Sequence, residues 1–413
     1  MLAYSPPLPL TVDYYSEDSI SAEDEEGILL ALEQRHRVRH LRLIFPVRIL
    51  QKLVMAIDEE FPILEYLIVY YPYMKNSTAL MLPETLQAPN LHHLTLEGFT
   101  CPIRSRLHPT AASLVTLCLM IDYQSAYFQP NILLQWISFM PQLENLEIAF
   151  TFSIPNRDVE RQLAHMPITA HIILPNLHFF GFRGVSAYLE AVLCRITTPR
   201  LEILRTRLFK QLTFSVPRLL QFMNTTENVR FDNAAIMFKD KYVDVLTYFC
   251  EANTFAFRVD CWHLDWQVSS AAQISNALSQ VFYAVEHLTL GHEVHSQSSE
   301  EHNDVNRIEW CNLLRSFSNV KTLHVDNGLA EELSRCLRLE DGELPLELLP
   351  ELQELTYLRS RDTGDVFASF VDARRNAGRP VTLVRNGPSP TPLSFQPPAI
   401  TSPENEGDND IGA

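Results

Sequence analysis

The chain has 413 residues, of which 46% are hydrophobic, and its 33 basic and 50 acidic side chains give a net charge of −17. This apolar fraction is typical of a folded protein. The excess of acid argues against a general nucleic-acid binder, because binding to phosphates needs a basic surface. With only 12 glycines, glycine-rich phosphate-binding loops are nearly excluded. No stretch reaches the roughly 18 apolar residues that a membrane-spanning helix needs.

The N-terminal residues 1–37 are predicted to form an acidic segment with a capping helix. Residues 1–26 hold seven acidic side chains and no lysine or arginine. Ser21 and the acids that follow it resemble a helix N-cap, which predicts a helix over residues 22–34. Prolines interrupt the first apolar residues and no basic region precedes them, so a signal peptide is not predicted. The seven cysteines are odd in number and widely spaced, which favours free thiols in the cytoplasm or nucleus.

One pattern, Leu-x-x-Leu-x-Leu, recurs between residues 38 and 385, with other apolar residues at some positions. Clear copies start at Val38, Leu64, Leu91, Leu114, Leu143, Leu177, Leu201, Val285, Val320 and Leu352. Two weaker copies are predicted near residues 229–231 and 255–259. The mean spacing of about 28.5 residues lies within the range of leucine-rich repeats. In six copies a proline stands two residues before the first leucine, where it ends the preceding segment and leads the chain into a strand.

Helical periodicity fills the stretches between the predicted strands. The predicted helices cover residues 47–60, 131–140, 185–196, 240–252, 271–284, 305–317 and 364–376. This alternation predicts an α/β fold, an irregular leucine-rich-repeat-like solenoid or horseshoe of about 12 units over residues 38–385. Its parallel strands are expected on the concave side and its helices on the convex side. A globular α/β domain with coincidental leucine spacing is the alternative.

Two further features of the sequence bear on the regularity of this solenoid and on where it ends. The asparagine or cysteine usual at the eighth place after the first leucine is missing, so uneven curvature and inexact stacking are expected. Residues 386–413 hold six prolines, four acids and no lysine or arginine, which predicts a disordered, proline-rich acidic tail.

The order and spacing of several short motifs resemble a fungal family of F-box-associated leucine-rich-repeat-like proteins. These motifs include Phe61-Pro62-Ile63-Leu64, Ala88-Pro89-Asn90-Leu91, Met140-Pro141-Gln142-Leu143 and Leu174-Pro175-Asn176-Leu177, and the resemblance covers about residues 11–385. It implies a substrate receptor of a cullin-RING ubiquitin ligase, whose F-box binds the ligase adaptor and whose repeat face binds the substrate. Residues 1–37 show no F-box pattern, so the prediction is limited to recognition. The chain is predicted to be a non-catalytic protein–protein interaction scaffold, and its protein partner is not identified by the sequence. Neither a nucleic acid nor a membrane is expected to bind.

No catalytic, cofactor or metal site is predicted. The nearest approach to a metal cluster is His292, His295 and His302, which lie in a polar run typical of a loop rather than of a rigid ligand-bearing element. Cys261 and His263 are close in sequence, whereas catalytic Cys–His pairs are usually adjacent only in space. An enzyme that uses residues 261–302 is one alternative function, and a drifted gene copy with no retained partner is another.

Aromatic and basic residues supply further hypotheses. Trp262 and Trp266 favour packing in the interior, and their alternative role is to anchor a partner. Two basic stretches are interpreted as solvated faces, or else as docking sites for an acidic peptide or the chain's own acidic ends. They consist of Arg35, Arg37, Arg39, Arg42 and Arg48, and of Arg195, Arg200, Arg205, Arg207 and Lys210.

The predicted partner-binding residues follow from the geometry of the repeat strand. Its leucines face the core, so the residues between and after them point to the concave side, because side chains alternate along a strand. Tyrosine, phenylalanine and arginine, which are enriched at protein interfaces, are frequent at these places. The set is Tyr66, Ile68, Tyr70, His93, Thr95, Glu97, Asn145, Glu147, Phe179, Arg183, Arg205, Arg207, His287, Thr322 and His324.

Overall fold

The structure, a computed structural model, describes twelve ranges of the chain. These are residues 8–16, 19–71, 80–100, 105–121, 127–150, 171–209, 216–225, 231–249, 252–293, 307–338, 348–357 and 366–385. The tail predicted over residues 386–413 lies outside them, as do His295, His302 and Lys210.

The described residues form 19 strands and 11 helices. The strands are β1 (Leu10–Tyr15), β2 (Val38–Ile44), β3 (Tyr66–Tyr70), β4 (Leu80–Met81), β5 (His93–Glu97), β6 (Phe99–Thr100), β7 (Thr116–Ile121), β8 (Asn145–Phe150), β9 (Ile172–Ile173), β10 (Phe179–Gly184), β11 (Ile196–Thr197), β12 (Ile203–Leu208), β13 (Asn233–Lys239), β14 (Tyr242–Phe249), β15 (Ala252–Asp260), β16 (His287–Glu293), β17 (Thr322–Val325), β18 (Glu354–Tyr357) and β19 (Thr382–Arg385). The helices are α1 (Ala22–Glu33), α2 (Val47–Met55), α3 (Leu107–Thr110), α4 (Pro130–Ile137), α5 (Ser186–Leu193), α6 (Pro217–Thr225), α7 (Leu264–Ala277), α8 (Ser279–Phe282), α9 (Arg307–Arg315), α10 (Asn327–Leu337) and α11 (Ala368–Asn376).

Fifteen strands form a single sheet in the order β1-β2-β3-β5-β7-β8-β10-β12-β15-β14-β13-β16-β17-β18-β19. Neighbouring strands run parallel, except that β14 is antiparallel to both β13 and β15. The other four strands make two small pairs, β4 with β6 and β9 with β11. The large parallel sheet combined with helices confirms the mixed α/β class, while the horseshoe shape and the number of units stay predictions.

The repeated leucines hold the sheet against the helices. The second leucines of the first copies, Leu41, Leu67 and Leu94, are partners in register and fully or almost fully buried. They belong to one core cluster with the inner faces of the helices, such as Leu50 and Leu53 of α2. Each such side chain contributes about 1.5–3 kcal/mol on burial. The period of the pattern therefore determines which face of each strand packs on the helices.

One pattern position is polar and still buried. Thr206 takes the place of a third leucine in the copy that starts at Leu201, and it is 3% exposed. Its hydroxyl donates to the carbonyl oxygen of Ala256 on the neighbouring strand at 3.4 Å. The hydrogen bond removes most of the cost of burying a hydroxyl group.

The N-terminal helix agrees with its prediction, and a strand precedes it that was not predicted. Helix α1 covers residues 22–33, and the Ser21 side chain accepts a hydrogen bond from the Asp24 backbone N–H at 3.0 Å. Strand β1 pairs with β2 in parallel and extends the sheet beyond the first copy of the repeat. The alternation in Leu10-Thr11-Val12-Asp13 is the sequence signal for this edge strand.

The helix predicted over residues 240–252 is wrong, because this stretch forms β14. Residues 242–249 are rich in β-branched and aromatic side chains, which favour a strand. Strands β13, β14 and β15 form a meander, so β15 rather than β13 lies next to β12. The weak copies predicted near residues 229–231 and 255–259 correspond to β13 and β15. Helix α7 starts at Leu264, seven residues before the predicted start at 271, and packs behind β13 and β14.

A different hydrogen-bonded series takes the place of the missing asparagine ladder. The donor is the side chain of the residue just before the first leucine of a copy. The acceptor is a backbone carbonyl in the preceding copy, two residues before its first leucine. Asn90 donates to Pro62 at 2.6 Å, Ser113 to Pro89 at 2.9 Å, Asn176 to Pro141 at 3.5 Å and Asn319 to Tyr283 at 2.9 Å. These bonds satisfy carbonyls that the turns into the strands leave unpaired.

Candidate functional site

We call the face of the sheet opposite the buried leucines the open face. The fifteen predicted partner-binding residues lie on it, and most of their side chains are half-buried. Thr95 is the most enclosed of them, at 7% exposure, and His287 is exposed. Their role in binding stays a prediction.

Aromatic rings line the N-terminal part of the open face. Tyr66 lies between His40 and His93 in register on the adjacent strands. Its ring stacks on His93, with centroids 4.2 Å apart and planes inclined by 16°, and is tilted against His40 at 5.7 Å. The His93 Nε2 atom is 3.0 Å from the Thr95 hydroxyl oxygen. Burial lowers the pKa of His93 from 6.5 to about 4, so this imidazole is neutral at pH 7.

We expect the stability of the fold to fall in mild acid because of His93. Between pH 6.5 and 4 the unfolded chain binds a proton at His93 and the folded chain does not, so the free energy of unfolding decreases as the pH is lowered through this window. The full shift corresponds to about 3 kcal/mol, and water around the half-buried ring reduces it to about 1–2 kcal/mol. Urea unfolding at pH 7 and pH 5 measures the effect. His93→Gln is expected to flatten the pH dependence, whereas His92→Gln, at an exposed neighbouring position, is expected to retain it. Equal slopes for the two variants would contradict the assignment.

Four arginines meet on adjacent strands in the middle of the open face. Arg183, Arg207 and Arg258 are successive partners in register on β10, β12 and β15, and Arg205 lies two residues before Arg207 on β12. We call these four residues the arginine cluster. Strands are about 4.8 Å apart, so the cluster brings four guanidinium groups onto a surface only three strands wide.

Carboxylates and an aromatic ring contact three of these arginines. Arg207 makes a two-pronged ion pair with Asp260, in which its Nε lies 3.0 and 3.1 Å from the two carboxylate oxygens and its Nη2 lies 3.0 Å from Oδ1. Arg258 pairs with the buried Asp244 through bonds of 2.6 and 2.9 Å. The guanidinium of Arg205 lies 5.5 Å from the centroid of the Phe179 ring. Side chains held in this way lose little further freedom when a partner binds.

Glu147 on β8 supplies a third carboxylate beside the cluster. Gly181 lies between Glu147 and Arg205 in register, and a side chain at this glycine would come within 3.1 Å of the Glu147 Cγ atom. Burial raises the pKa of Glu147, and the charge of Arg205 opposes that rise. The Cys118 thiol lies 3.8 Å from Glu147, and burial and this carboxylate raise its pKa, which favours the thiol over the thiolate.

A small apolar cluster continues the open face beyond the arginines. Ala235, Met237, Leu246 and Ala256 are at most 8% exposed, and we call them the apolar floor. Ala256 is the partner in register of Arg205, so the floor begins at the arginine cluster. The ring of Tyr248 packs against the floor and remains half-buried. The open face thus changes from cationic to apolar between one strand, β12, and its neighbour, β15.

Sequence reasoning missed the contribution of the β13–β14–β15 meander to this surface. Asp244 was not predicted because the helix assigned to residues 240–252 moved it off the sheet. Arg258 and Asp260 lie in β15, where the weak copy near residues 255–259 was expected, but they were not chosen as site residues. The alternating Tyr242-Val243-Asp244-Val245 run was the signal that could have found them.

The prediction that Trp262 and Trp266 pack in the interior is wrong. They are 64% and 43% exposed, at the end of β15 and the start of α7. The Lys241 ammonium lies 5.0 Å from the centroid of the Trp262 ring, and the His263 ring meets Trp266 edge-on at 4.9 Å. Two exposed indoles are suited to anchoring a partner.

The residues of the alternative enzyme hypothesis lie in different environments, one buried and another exposed. Cys261 belongs to the buried core, where its thiol is 3.6 Å from the carbonyl oxygen of Val259. His263 is exposed at the surface. His292 is the described member of the predicted histidine group. Among the described residues there is no group of three or more histidines, cysteines or acids that could hold a metal ion.

The two predicted basic stretches differ from each other in the structure. In the first, Arg35, Arg39 and Arg42 each form an ion pair with an acid, and Arg37 is 8% exposed. In the second, Arg195 is buried and Arg200 is exposed at a turn, whereas Arg205 and Arg207 belong to the arginine cluster.

The described helices are all too short or too polar to cross a membrane.

Comparison with solved structures gives likenesses, one of which has a low TM-score. No family model and no curated protein matches the chain, so the resemblance to the fungal F-box-associated family stays a prediction. Among solved structures, the leucine-rich repeat-containing protein LegL7 from Legionella pneumophila is 13% identical to the chain. The match covers 71% of this chain and 92% of that protein, with a TM-score of 0.23.

Proposed function

We propose that the chain is a non-catalytic protein-interaction scaffold whose open face binds an acidic segment of a partner protein. The observation that supports this most directly is the arginine cluster. From β8 to β14 the open face carries four arginines and three carboxylates, an excess of one positive charge on a chain of net charge −17. A local cationic surface on an acidic protein selects partners of the opposite sign.

The neighbouring apolar floor further restricts the chemical class of partner that fits the open face. An extended segment that crosses the strands meets Arg183, Arg205 or Arg207 first and Tyr248 at the floor about two to three strands further on, which is about 10–15 Å. A suitable ligand therefore carries a carboxylate and, a few residues away, an apolar side chain. Arginine and tyrosine are among the residue types that most often dominate binding at interfaces.

Binding to defined peptides tests this proposal. We expect a fluorescein-labelled peptide of mixed glutamate and leucine to bind at least tenfold more tightly than the same peptide with glutamine at each glutamate. The affinity should fall as salt is raised, because exposed charges are screened. Fluorescence polarisation at two salt concentrations measures both effects. Equal binding of the two peptides, or tighter binding of a lysine version, would contradict the proposal.

Matched variants locate the site. Arg183→Gln combined with Arg205→Gln is expected to weaken binding of the acidic peptide about tenfold or more, because two charged contacts are lost. Arg200→Gln combined with Arg218→Gln removes the same charge from exposed positions away from the open face. This control is expected to bind like the wild type. If both double variants lose affinity equally, net charge rather than the open face governs binding.

The resemblance to F-box receptors suggests a finer role, that of a substrate receptor for a ubiquitin ligase. Size-exclusion chromatography of the purified chain with the ligase's F-box adaptor tests this role separately. Co-elution supports it, and separate elution rules out direct recruitment while leaving the scaffold proposal to the peptide measurements. If no peptide class binds, a drifted copy without a partner becomes the better description.

A further inference from the structure

We propose that Cys311 and Cys336 form an oxidative cross-linking site that ties two successive helices together. Cys311 is in the middle of α9 and Cys336 is near the end of α10. Their sulfur atoms are 3.6 Å apart, which is van der Waals contact. Neither is part of a disulfide bond in the structure. This inference is independent of the proposed binding function.

The surroundings hold the two thiols in place. Helices α9 and α10 pack against each other, and Arg307 at the start of α9 donates to the carbonyl oxygens of Cys336 and Arg338 at 3.2 and 3.0 Å. Cys311 and Cys336 are 7% and 2% exposed. A disulfide needs a sulfur–sulfur distance of about 2.05 Å, so the two sulfurs must approach by about 1.5 Å. Small rotations of two side chains on helices already in contact supply such a movement.

The other described cysteines have different contacts. The thiols of Cys118, Cys194 and Cys261 contact a carboxylate or a backbone carbonyl oxygen. Among the described residues, the pair on α9 and α10 is therefore the place where oxidation most readily joins two cysteines.

The reaction uses a small peroxide as oxidant, and it balances. The sulfur of Cys311, the more exposed of the two, gives two electrons to hydrogen peroxide and becomes a sulfenic acid as one water leaves. The Cys336 sulfur attacks the Cys311 sulfur, a second water leaves, and the sulfur–sulfur bond forms. The bond closes a loop of about 25 residues, for which the chain-entropy account gives stabilisation typical of a natural disulfide.

Peptide mapping tests the proposal on the full-length chain. The protein is treated with hydrogen peroxide in its folded state, blocked with an alkylating reagent and digested with trypsin without reduction. We expect peptide 308–315 joined to peptide 336–338, lighter than the two free peptides by two hydrogen atoms and separated by dithiothreitol. The cross-linked pair should form at least tenfold faster than any pair that contains Cys118, Cys194 or Cys261.

Variants and thermal unfolding provide the second readout. Oxidised wild type is expected to unfold a few degrees higher than the reduced protein, and Cys261→Ser, at a buried position outside the pair, should keep this shift. Cys336→Ser should abolish it. Recovery of Cys311 and Cys336 as separately alkylated residues, while other thiols oxidise, would overturn the proposal. If Cys336→Ser does not fold, the mapping of the wild type decides alone.

Discussion

Replacing Arg374 by methionine is expected to lower the free energy of unfolding by about 3–5 kcal/mol. Arg374 on α11 is completely buried. Its guanidinium donates to the carbonyl oxygens of Leu349, Pro350 and Leu352, each at 3.1 Å. Methionine retains most of the apolar stem and removes every donor, so all three carbonyl groups lose the guanidinium at once, and the Leu349 carbonyl keeps the hydrogen bond from the Leu352 N–H. Hydrogen bonds from a charged donor are worth about 1.5–3 kcal/mol each and are not additive.

The same guanidinium stabilises an unusual turn. Leu349 has φ of 49°, the one positive value for a non-glycine residue in the described part of the chain. Left-handed backbone costs an ordinary residue about 1–2 kcal/mol, and the bond from Arg374 to the Leu349 carbonyl offsets this cost. The turn leads directly into β18, so the loss of Arg374 is expected to loosen the C-terminal strands first.

Chemical denaturation of Arg374→Met beside Arg375→Met measures this effect. Arg375 is the next residue, pairs with Asp372 at 3.1 Å, and is about two-thirds exposed, so its replacement is expected to leave the unfolding midpoint nearly unchanged. Arg374→Lys should give an intermediate loss, because one ammonium group reaches fewer carbonyls than a guanidinium fork. A midpoint for Arg374→Met equal to that of the control would show that the three carbonyls find other partners.

Much of the fold follows from a one-dimensional pattern. Burial of Leu64, Leu67 and their equivalents repeats along the sequence, so the strand positions and the face that packs on the helices could be predicted without any long-range information. Alternation along a strand then places residues such as Tyr66 and Arg205 on the open face. These predictions needed only the period of the sequence and the geometry of a strand.

The remaining features depend on contacts between distant parts of the chain. The position of β15 beside β12 is a matter of topology, and no local pattern states which strand follows which in the sheet. Asp244 and Arg258 meet only because the meander brings β14 and β15 together. Arg374 recognises carbonyls 22 to 25 residues earlier in the chain, and its sequence neighbours give no sign of this. Such pairings become visible only once the register is known.

Replacing Asp244 by asparagine is expected to lower the free energy of unfolding by about 3 kcal/mol. Its side chain is 2% exposed and that of Arg258 18%, so removing the carboxylate leaves a guanidinium mostly enclosed and without its two-pronged partner. Arg258→Met should cost a similar amount. The double variant should cost no more than either single one, because the two losses describe one interaction. Urea unfolding of the three variants gives the coupling free energy. Strict additivity would show that the pair contributes nothing beyond its separate side chains.

The same substitution separates the structural role of the cluster from its proposed role in binding. In Asp244→Asn the arginine cluster keeps four positive charges and loses one of its three carboxylates. The local charge excess on the open face rises from one to two. We therefore expect this less stable variant to bind the acidic peptide a few times more tightly than the wild type, at a temperature where both are folded.

Asp372→Asn, on the exposed surface of α11, adds the same charge elsewhere and should leave the affinity unchanged. Weaker binding by Asp244→Asn would mean that the precise placement of Arg258, rather than the charge of the cluster, determines the affinity.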